Sequence, residues 1–220
     1  MPRIKWQNQI QLTKLKLKKS LFVILFVLIA DQTLKVWVKL SMTLGEEIPV
    51  IGSWFNMYFT ENNGMAFGLQ FGGEFGKLFL SIFRILAIMA IAVYLFILIR
   101  KKRRNGLILS ISLIFAGALG NIIDSVFYGM IFTQSTYHTL GVIAAEGQGY
   151  SSFLHGRVVD MLYFPIVDFV QADGPSWIPS WVYGYDGHFV FFRPIFNIAD
   201  SAITIGVAWL LIFERKNLTL

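Results

Sequence analysis

Four long apolar segments constrain the fold of this chain more than any other feature of its sequence. They cover about residues 21–40, 78–99, 107–127 and 194–213, close to the roughly 20 residues with which a helix crosses a bilayer. Hydrophobic residues make up 55% of the 220 positions and charged residues 15%, against about 25% in soluble domains. This nearly excludes a soluble enzyme, and we expect residues 1–220 to form one integral membrane domain with four transmembrane helices.

The distribution of basic residues predicts how these helices are oriented. Most of the 19 Lys and Arg residues lie before the first segment, in the link at 100–104 and in the tail. With an even number of spans these three places share one side, which the positive-inside rule assigns to the cytoplasm. Both termini then lie in the cytoplasm, and residues 41–77 and 128–193 lie outside. We expect the basic segments to contact anionic lipid rather than nucleic acid.

The two outer regions contain more than linkers. Residues that favour strands, flanked by turn formers, predict one strand at Phe55–Thr60 and another at His188–Phe192. Residues 128–155 are rich in Gly, Ser and Thr and are expected to form an inserted outer loop. The outer side is therefore predicted to carry a small β-containing structure above the helices.

Several ionisable residues interrupt the apolar segments, where a charge costs at least ~2.5–3.5 kcal/mol at mid-span. Asp31 and Lys35 lie four residues apart on one helix face, so they form either an ion pair that neutralises itself or part of a site. Gly117, Asn121 and Asp124 also share one face, which predicts either a polar packing seam between helices or the wall of a site.

Two further aspartates lie on the outer side in apolar surroundings. Asp160 follows two valines, and Asp200 lies near the outer end of the fourth segment, on the same face as Asn197. Two carboxylates held close together share one proton, and aspartyl proteolysis uses such a pair as base and acid on a water molecule. A proton relay through Asp31, Asp124 and Asp200 in a transporter is an alternative, as is a structural protein without chemistry.

Other catalytic chemistries find little support. The chain has no Cys, which excludes disulfides, Cys-ligated metal sites and a thiol nucleophile. His138, His155 and His188 are scattered through the outer regions without the spacing of metal ligands, so we expect surface residues and no metal or cofactor.

Five motifs resemble, in order, those of the lipoprotein signal peptidases (signal peptidase II), a family of bacterial inner-membrane aspartyl proteases with four spans. They are DQTLK at 31–35, NNGMAFG at 62–68, GALGNIID at 117–124, GRVVDM at 156–161 and FNIADS at 196–201. Each motif alone is a weak signal, whereas five in order on the expected topology are a strong one.

The resemblance implies a membrane α-helical fold with four transmembrane helices, a small periplasmic β-containing cradle and an inserted outer loop. It implies an endopeptidase that removes the signal peptide of a diacylglyceryl-prolipoprotein just before the lipidated Cys, with Asp160 and Asp200 as catalytic residues. The other positions that it implies in substrate binding or support are Asp31, Lys35, Asn62, Gly64, Ala66, Phe67, Gly117, Asn121, Asp124, Val159, Asn197 and Ala199. It also implies inhibition by globomycin-type cyclic peptides, and we expect a monomer.

The sequence departs from the family pattern in two places. Ser125 stands where the family usually has Arg, so Asp124 is expected to lack its usual partner. The chain between Asp124 and Asp160 is also longer than usual, which places an insertion at about 128–155. The sequence does not assign which of the two catalytic aspartates is the base.

Overall fold

A computed structural model describes residues 2–63, 73–175, 177–184 and 187–217. Within them, three helices are long and apolar enough to cross a membrane, over Gln9–Ser41, Gly76–Arg100 and Asn105–Ile131. They correspond to the first three predicted segments. Many large apolar side chains on these helices point outward, among them Phe22, Phe26, Phe79 and Phe83, each at least 60% exposed. A surface of this kind fits lipid rather than water.

The helices are longer than the apolar segments that predict them. Helix α1 covers Pro2–Ser41, α2 covers Gly73–Arg100, and α3 covers Asn105–Ile123. Helix α1 extends beyond the first apolar segment at its N-terminal end, because residues 2–20 are rich in Lys, Leu and Gln, which favour a helix as well as apolar residues do. Helix α3 continues through a wide π-type turn at Asp124–Tyr128 and a short helical turn at Gly129–Ile131.

The helix of the fourth apolar segment is shorter than the segment itself. The first residues form a short strand at Ile195–Phe196, and helix α4 covers Ile198–Trp209. Asn197 caps the helix with its side chain, so the chain is still extended before it. A wide turn at Leu210–Glu214 and a 3-10 turn at Arg215–Asn217 follow.

An antiparallel sheet covers one end of the helices. Its strands are β1 (Glu47–Ile51), β2 (Phe55–Asn62), β3 (Val158–Tyr163) and β6 (Ile195–Phe196), in that spatial order. The predicted strand at Phe55–Thr60 is confirmed as β2. Strands β4 (Val167–Val170) and β5 (His188–Phe191) form a separate hairpin, and β5 confirms the second predicted strand.

Two apolar clusters hold these parts together. One joins α1, α2, α3 and α4 through residues such as Ile24, Leu98 and Ile108. The other packs the sheet on the end of α1, with Val38 and Met42 against Phe59 and Met161. The inserted region contributes Tyr128 and Phe132 to this second cluster, and an isolated bridge pairs Phe132 with Ile143. The sheet is therefore fixed to the helix ends that carry the polar residues of the motifs.

Candidate active site

Asp160 and Asp200 reach the same polar cluster from two different elements. Asp160 lies on β3 and is 3% exposed, and Asp200 lies in the first turn of α4. The Asn197 side chain donates to Asp160 Oδ1 at 2.6 Å, and the Asn121 side chain donates to Asp200 Oδ1 at 2.7 Å. Asn197 Nδ2 also lies 3.0 Å from Asn121 Oδ1. Two amides in contact thus join the two carboxylates.

The start of α4 fixes the position of Asp200. The Asn197 Oδ1 atom accepts from the backbone N–H of Asp200 at 2.8 Å, and Asp200 Oδ2 lies 3.4 Å from the backbone N of Asn197. Together they form a capping box, which satisfies N–H groups that have no partner inside the helix. A carboxylate in the first turn is also favoured by the positive end of the helix dipole.

A buried ion triad lies below the two aspartates. Lys35 Nζ lies 2.9 Å from Asp31 Oδ2 and 2.8 Å from Asp124 Oδ2, and all three side chains are fully buried. The predicted ion pair of Asp31 and Lys35 is therefore present. Ser125 stands where the usual partner of Asp124 would be, and Lys35 of α1 pairs with Asp124 instead.

The triad also contacts the backbone beside each aspartate. Asp124 Oδ2 accepts from the N–H of Val159 at 3.3 Å, and Asp31 Oδ1 accepts from the N–H of Ala199 at 2.8 Å. Lys35 Nζ donates to Asn121 Oδ1 at 2.8 Å, which links the triad to the amides. The polar faces of the first and third apolar segments thus meet in one buried cluster. This cluster is both a packing contact between α1 and α3 and part of the surroundings of the two aspartates.

The electrostatic environment separates Asp160 from an ordinary surface carboxyl. Burial, and secondarily the negative charge of Asp200, raise the pKa of Asp160 to about 8. The Asn62 side chain donates a hydrogen bond to the Oδ2 atom of Asp160 from the end of β2. Asp160 therefore retains a proton under conditions in which an ordinary Asp is ionised.

Helices α3 and α4 approach closely at Gly117. A Cβ atom at this position would lie 2.2 Å from the backbone oxygen of Ala199, so only Gly fits. Of the outer motif at 62–68, Asn62 and Asn63 are described, whereas Gly64, Ala66 and Phe67 lie outside the described residues.

Sequence reasoning missed a second buried charge cluster beside the site. Lys39 of α1 pairs with Glu61 of β2, and Arg157 Nη1 lies 3.4 Å from the other oxygen of Glu61. Lys39 also lies over the ring of Tyr150, 4.8 Å from its centroid. The sequence did contain a signal for this cluster, because Lys39 lies inside the first apolar segment, four residues after Lys35 on the same helix face.

Metal-binding geometry is not found among the described residues, where no group of three or more His, Asp or Glu side chains could hold an ion. His138 is exposed, while His155 and His188 are half-buried. His188 Nδ1 lies 2.9 Å from Asp168 Oδ1 on the outer hairpin of β4 and β5.

The fold is that of a bacterial membrane enzyme. A structure titled as a bacterial membrane enzyme solved by the in meso method at 2.3 Å resolution aligns with a TM-score of 0.56 at 28% identity, over 92% of this chain and 90% of that chain. A second, at 1.9 Å resolution, aligns with a TM-score of 0.55 at 29% identity, over 89% and 91%.

Sequence comparison defines the family within that class. The model of Signal peptidase (SPase) II matches residues 23–215. A lipoprotein signal peptidase of Porphyromonas gingivalis is 47% identical over 90% of this chain and 83% of its own. One of Amoebophilus asiaticus is 37% identical over 92% and 80%. The chain belongs to the signal peptidase II family, membrane proteases of lipoprotein processing.

Proposed function

We propose that this chain is an aspartic endopeptidase that cleaves diacylglyceryl-modified prolipoproteins just before the lipidated Cys. The observation that carries the proposal is the convergence of Asp160 and Asp200 on the joined amides of Asn121 and Asn197. The raised pKa of Asp160, to about 8, supports a pair that shares one proton at neutral pH.

The proposed mechanism needs no covalent intermediate. The ionised carboxylate of the pair takes a proton from water as that water attacks the scissile carbonyl carbon. The protonated carboxyl donates its proton to the carbonyl oxygen. As the tetrahedral intermediate collapses, the carboxyl that took the proton from water passes it to the leaving amine, and a hydroxyl of the intermediate returns its proton to the other carboxylate, which restores the pair with one proton. General acid–base catalysis of this kind is worth ~10²–10⁴-fold, so positioning and exclusion of water must supply the remainder.

The other motif residues hold this pair or bind substrate. Asn121 and Asn197 orient the carboxylates, while Asp31, Lys35 and Asp124 hold the adjacent backbone at Val159 and Ala199. Asn62 orients Asp160 through the hydrogen bond that its side chain donates to that carboxylate. Gly117 allows the close contact of α3 with α4 beside the site. For Gly64, Ala66 and Phe67 the proposal rests on the motif alone, and we assign them to substrate binding.

We further propose one domain with four spans, in which α4 and the wide turn after it form the fourth. Contacts at the end remote from the sheet support this topology. Lys16 Nζ donates to the backbone oxygen of Arg103 at 2.9 Å, and Arg104 lies 3.8 Å from Glu214. The basic parts of α1, the α2–α3 link and the tail thus meet at one end, which the positive-inside rule places in the cytoplasm of an inner-membrane protein.

The site then lies near the periplasmic face, where a substrate with a membrane helix and two acyl chains can reach it from the lipid. We propose that the enzyme acts as a monomer, uses no cofactor and is inhibited by globomycin-type cyclic peptides. A proton relay is less well supported, because Asp31 and Asp124 are both engaged by Lys35 in the cluster that holds Asp200.

Cleavage of a lipidated prolipoprotein by the purified chain in detergent tests the proposal. Asp160→Asn and Asp200→Asn should each abolish cleavage while thermal unfolding shows a folded protein, because Asn keeps the shape but cannot exchange a proton. Asp168→Asn on the outer hairpin is the matched control and should cleave at the wild-type rate. Near-normal turnover in either of the first two variants would refute the pair.

A further inference from the structure

Glu61 is a buried acid that the mechanism above leaves without a role. Its side chain is 2% exposed, and Lys39 of α1, whose side chain is fully buried, pairs with one of its oxygens. Arg157, directly before β3, lies with Nη1 3.4 Å from the other oxygen. Since the replacement of a buried ion pair by apolar residues is often neutral for stability, folding alone does not account for this one.

Glu61 lies at the end of β2, next to the residue that contacts Asp160. The pairing of β2 with β3 shifts in register between Met57 and Thr60, so the pairs before this irregularity do not set the position of the residues after it. Beyond it, the described part of β2 pairs with β3 through Thr60, Glu61 and Asn62. The Asn62 side chain donates to the Oδ2 atom of Asp160. An anchor on Glu61 therefore holds the strand end from which this hydrogen bond is made.

The inserted outer loop packs on the lysine of this anchor. Lys39 Nζ lies 4.8 Å from the centroid of the Tyr150 ring, and the Tyr150 hydroxyl accepts from the backbone N–H of Arg157 at 2.6 Å. A Cβ atom at Gly141 would lie 3.1 Å from Lys39 Cε, so the backbone of the loop lies against the lysine stem. These contacts help to bury the pair, and two charges attract each other more strongly where water is excluded.

We propose that Glu61 is a positioning residue: anchored by Lys39 and Arg157, it holds Asn62 where its amide orients Asp160. This inference rests on the proposed aspartic mechanism, and it gives the inserted loop the role of closing the anchor. Because the contacts of the anchor lead to Asp160, its loss should lower kcat and leave KM near the wild-type value.

The test is a double-mutant cycle on cleavage of a lipidated prolipoprotein in neutral detergent, with kcat and KM measured separately. Lys39→Met together with Glu61→Met removes the buried pair without leaving either charge alone. This change and Asn62→Ala should each lower kcat about 10–100-fold with KM nearly unchanged. Since both act through one hydrogen bond, their combination should be no slower than the slower of the two. Arg104→Met together with Glu214→Met, which removes the pair at the end remote from the sheet, is the matched control and should keep the wild-type kcat.

The outcomes separate this inference from the proposed function. A wild-type chain that does not cleave would contradict the function and this inference with it. Wild-type cleavage with an unchanged kcat in the folded Lys39→Met, Glu61→Met variant or in Asn62→Ala would overturn the positioning role alone. Effects that multiply in the combination, or a rise in KM without a fall in kcat, would overturn it in the same way. If the pair variant does not remain folded, Arg157→Gln leaves the buried pair intact and should lower kcat, again without multiplying the effect of Asn62→Ala.

Discussion

The contact of α3 with α4 at Gly117 allows the sharpest structural prediction. In Gly117→Ala the new methyl group would lie 2.2 Å from the backbone oxygen of Ala199 and 2.7 Å from a side-chain carbon of Ile203, whereas ordinary contacts begin at 3.4 Å. The two helices must therefore separate by about 1 Å. Overpacking of this size costs about 1–3 kcal/mol of stability.

The activity should fall further than the stability does. Ala199 lies between Asn197 and Asp200, so a displacement of its backbone moves the start of α4 relative to Asp160. A misplacement of about 1 Å at reacting groups can cost ~10²-fold in rate. We expect Gly117→Ala to remain folded with a lowered midpoint of thermal unfolding and to cleave on the order of 100-fold more slowly.

The assay is the initial rate of prolipoprotein cleavage beside thermal unfolding of the same detergent-solubilised samples. Ala90→Leu enlarges an exposed position of α2 and should leave both quantities at their wild-type values. Cleavage by Gly117→Ala at the wild-type rate would show that this close contact does not position Asp200, and the reasoning from the helix approach would be wrong.

Two further predictions concern the buried charges. Lys35→Met leaves two buried carboxylates without a counter-charge and should destabilise the protein by about 3–5 kcal/mol, measured by thermal or denaturant unfolding in detergent. Because burial raises the pKa of Asp160 to about 8, kcat/KM should fall as the pH rises through that value and the shared proton is lost. A cleavage rate that is constant well above pH 8 would contradict this assignment. The folded chain also binds this proton more tightly than the unfolded chain does. The contribution of Asp160 to the free energy of unfolding should therefore grow as the pH falls from about 8 toward the ordinary pKa range of Asp.

Short-range sequence patterns predicted those elements of the fold that depend on residues close together in the chain. The apolar segments found the three long helices, and the i, i+4 spacing of Asp31 and Lys35 found their ion pair. Strand-favouring residues flanked by turn formers predicted β2 and β5. No strand was predicted at β3, where every residue from Val158 to Met161 is buried and apolar and polar residues do not alternate. Such a strand is recognised only from its pairing with β2 and β6.

The assembly of the site depended on contacts that no local pattern contains. Lys35 reaches Asp124 across almost ninety residues, and this pairing replaces the partner that Ser125 does not provide. The cap at Asn197 was readable in principle, since Asn followed three residues later by Asp is a capping signal, but the apolar residues before it indicated a helix. Hydropathy reports which residues avoid water and not where a helix begins.

The hydrogen bonds of the triad explain why such costly buried charges occur beside the site. The residue that precedes each proposed catalytic aspartate donates its backbone N–H to a triad carboxylate, Val159 to Asp124 and Ala199 to Asp31. Both carboxylates share the ammonium of Lys35. A shift of either segment would leave a buried carboxylate without its donor, which costs about 1–3 kcal/mol or more for a charged group. An apolar core of equal volume could stabilise the bundle as well, but it would not resist such a shift of β3 against α4 in this way. The triad therefore stabilises one relative position of Asp160 and Asp200, and this is the geometric requirement of a pair that shares a proton.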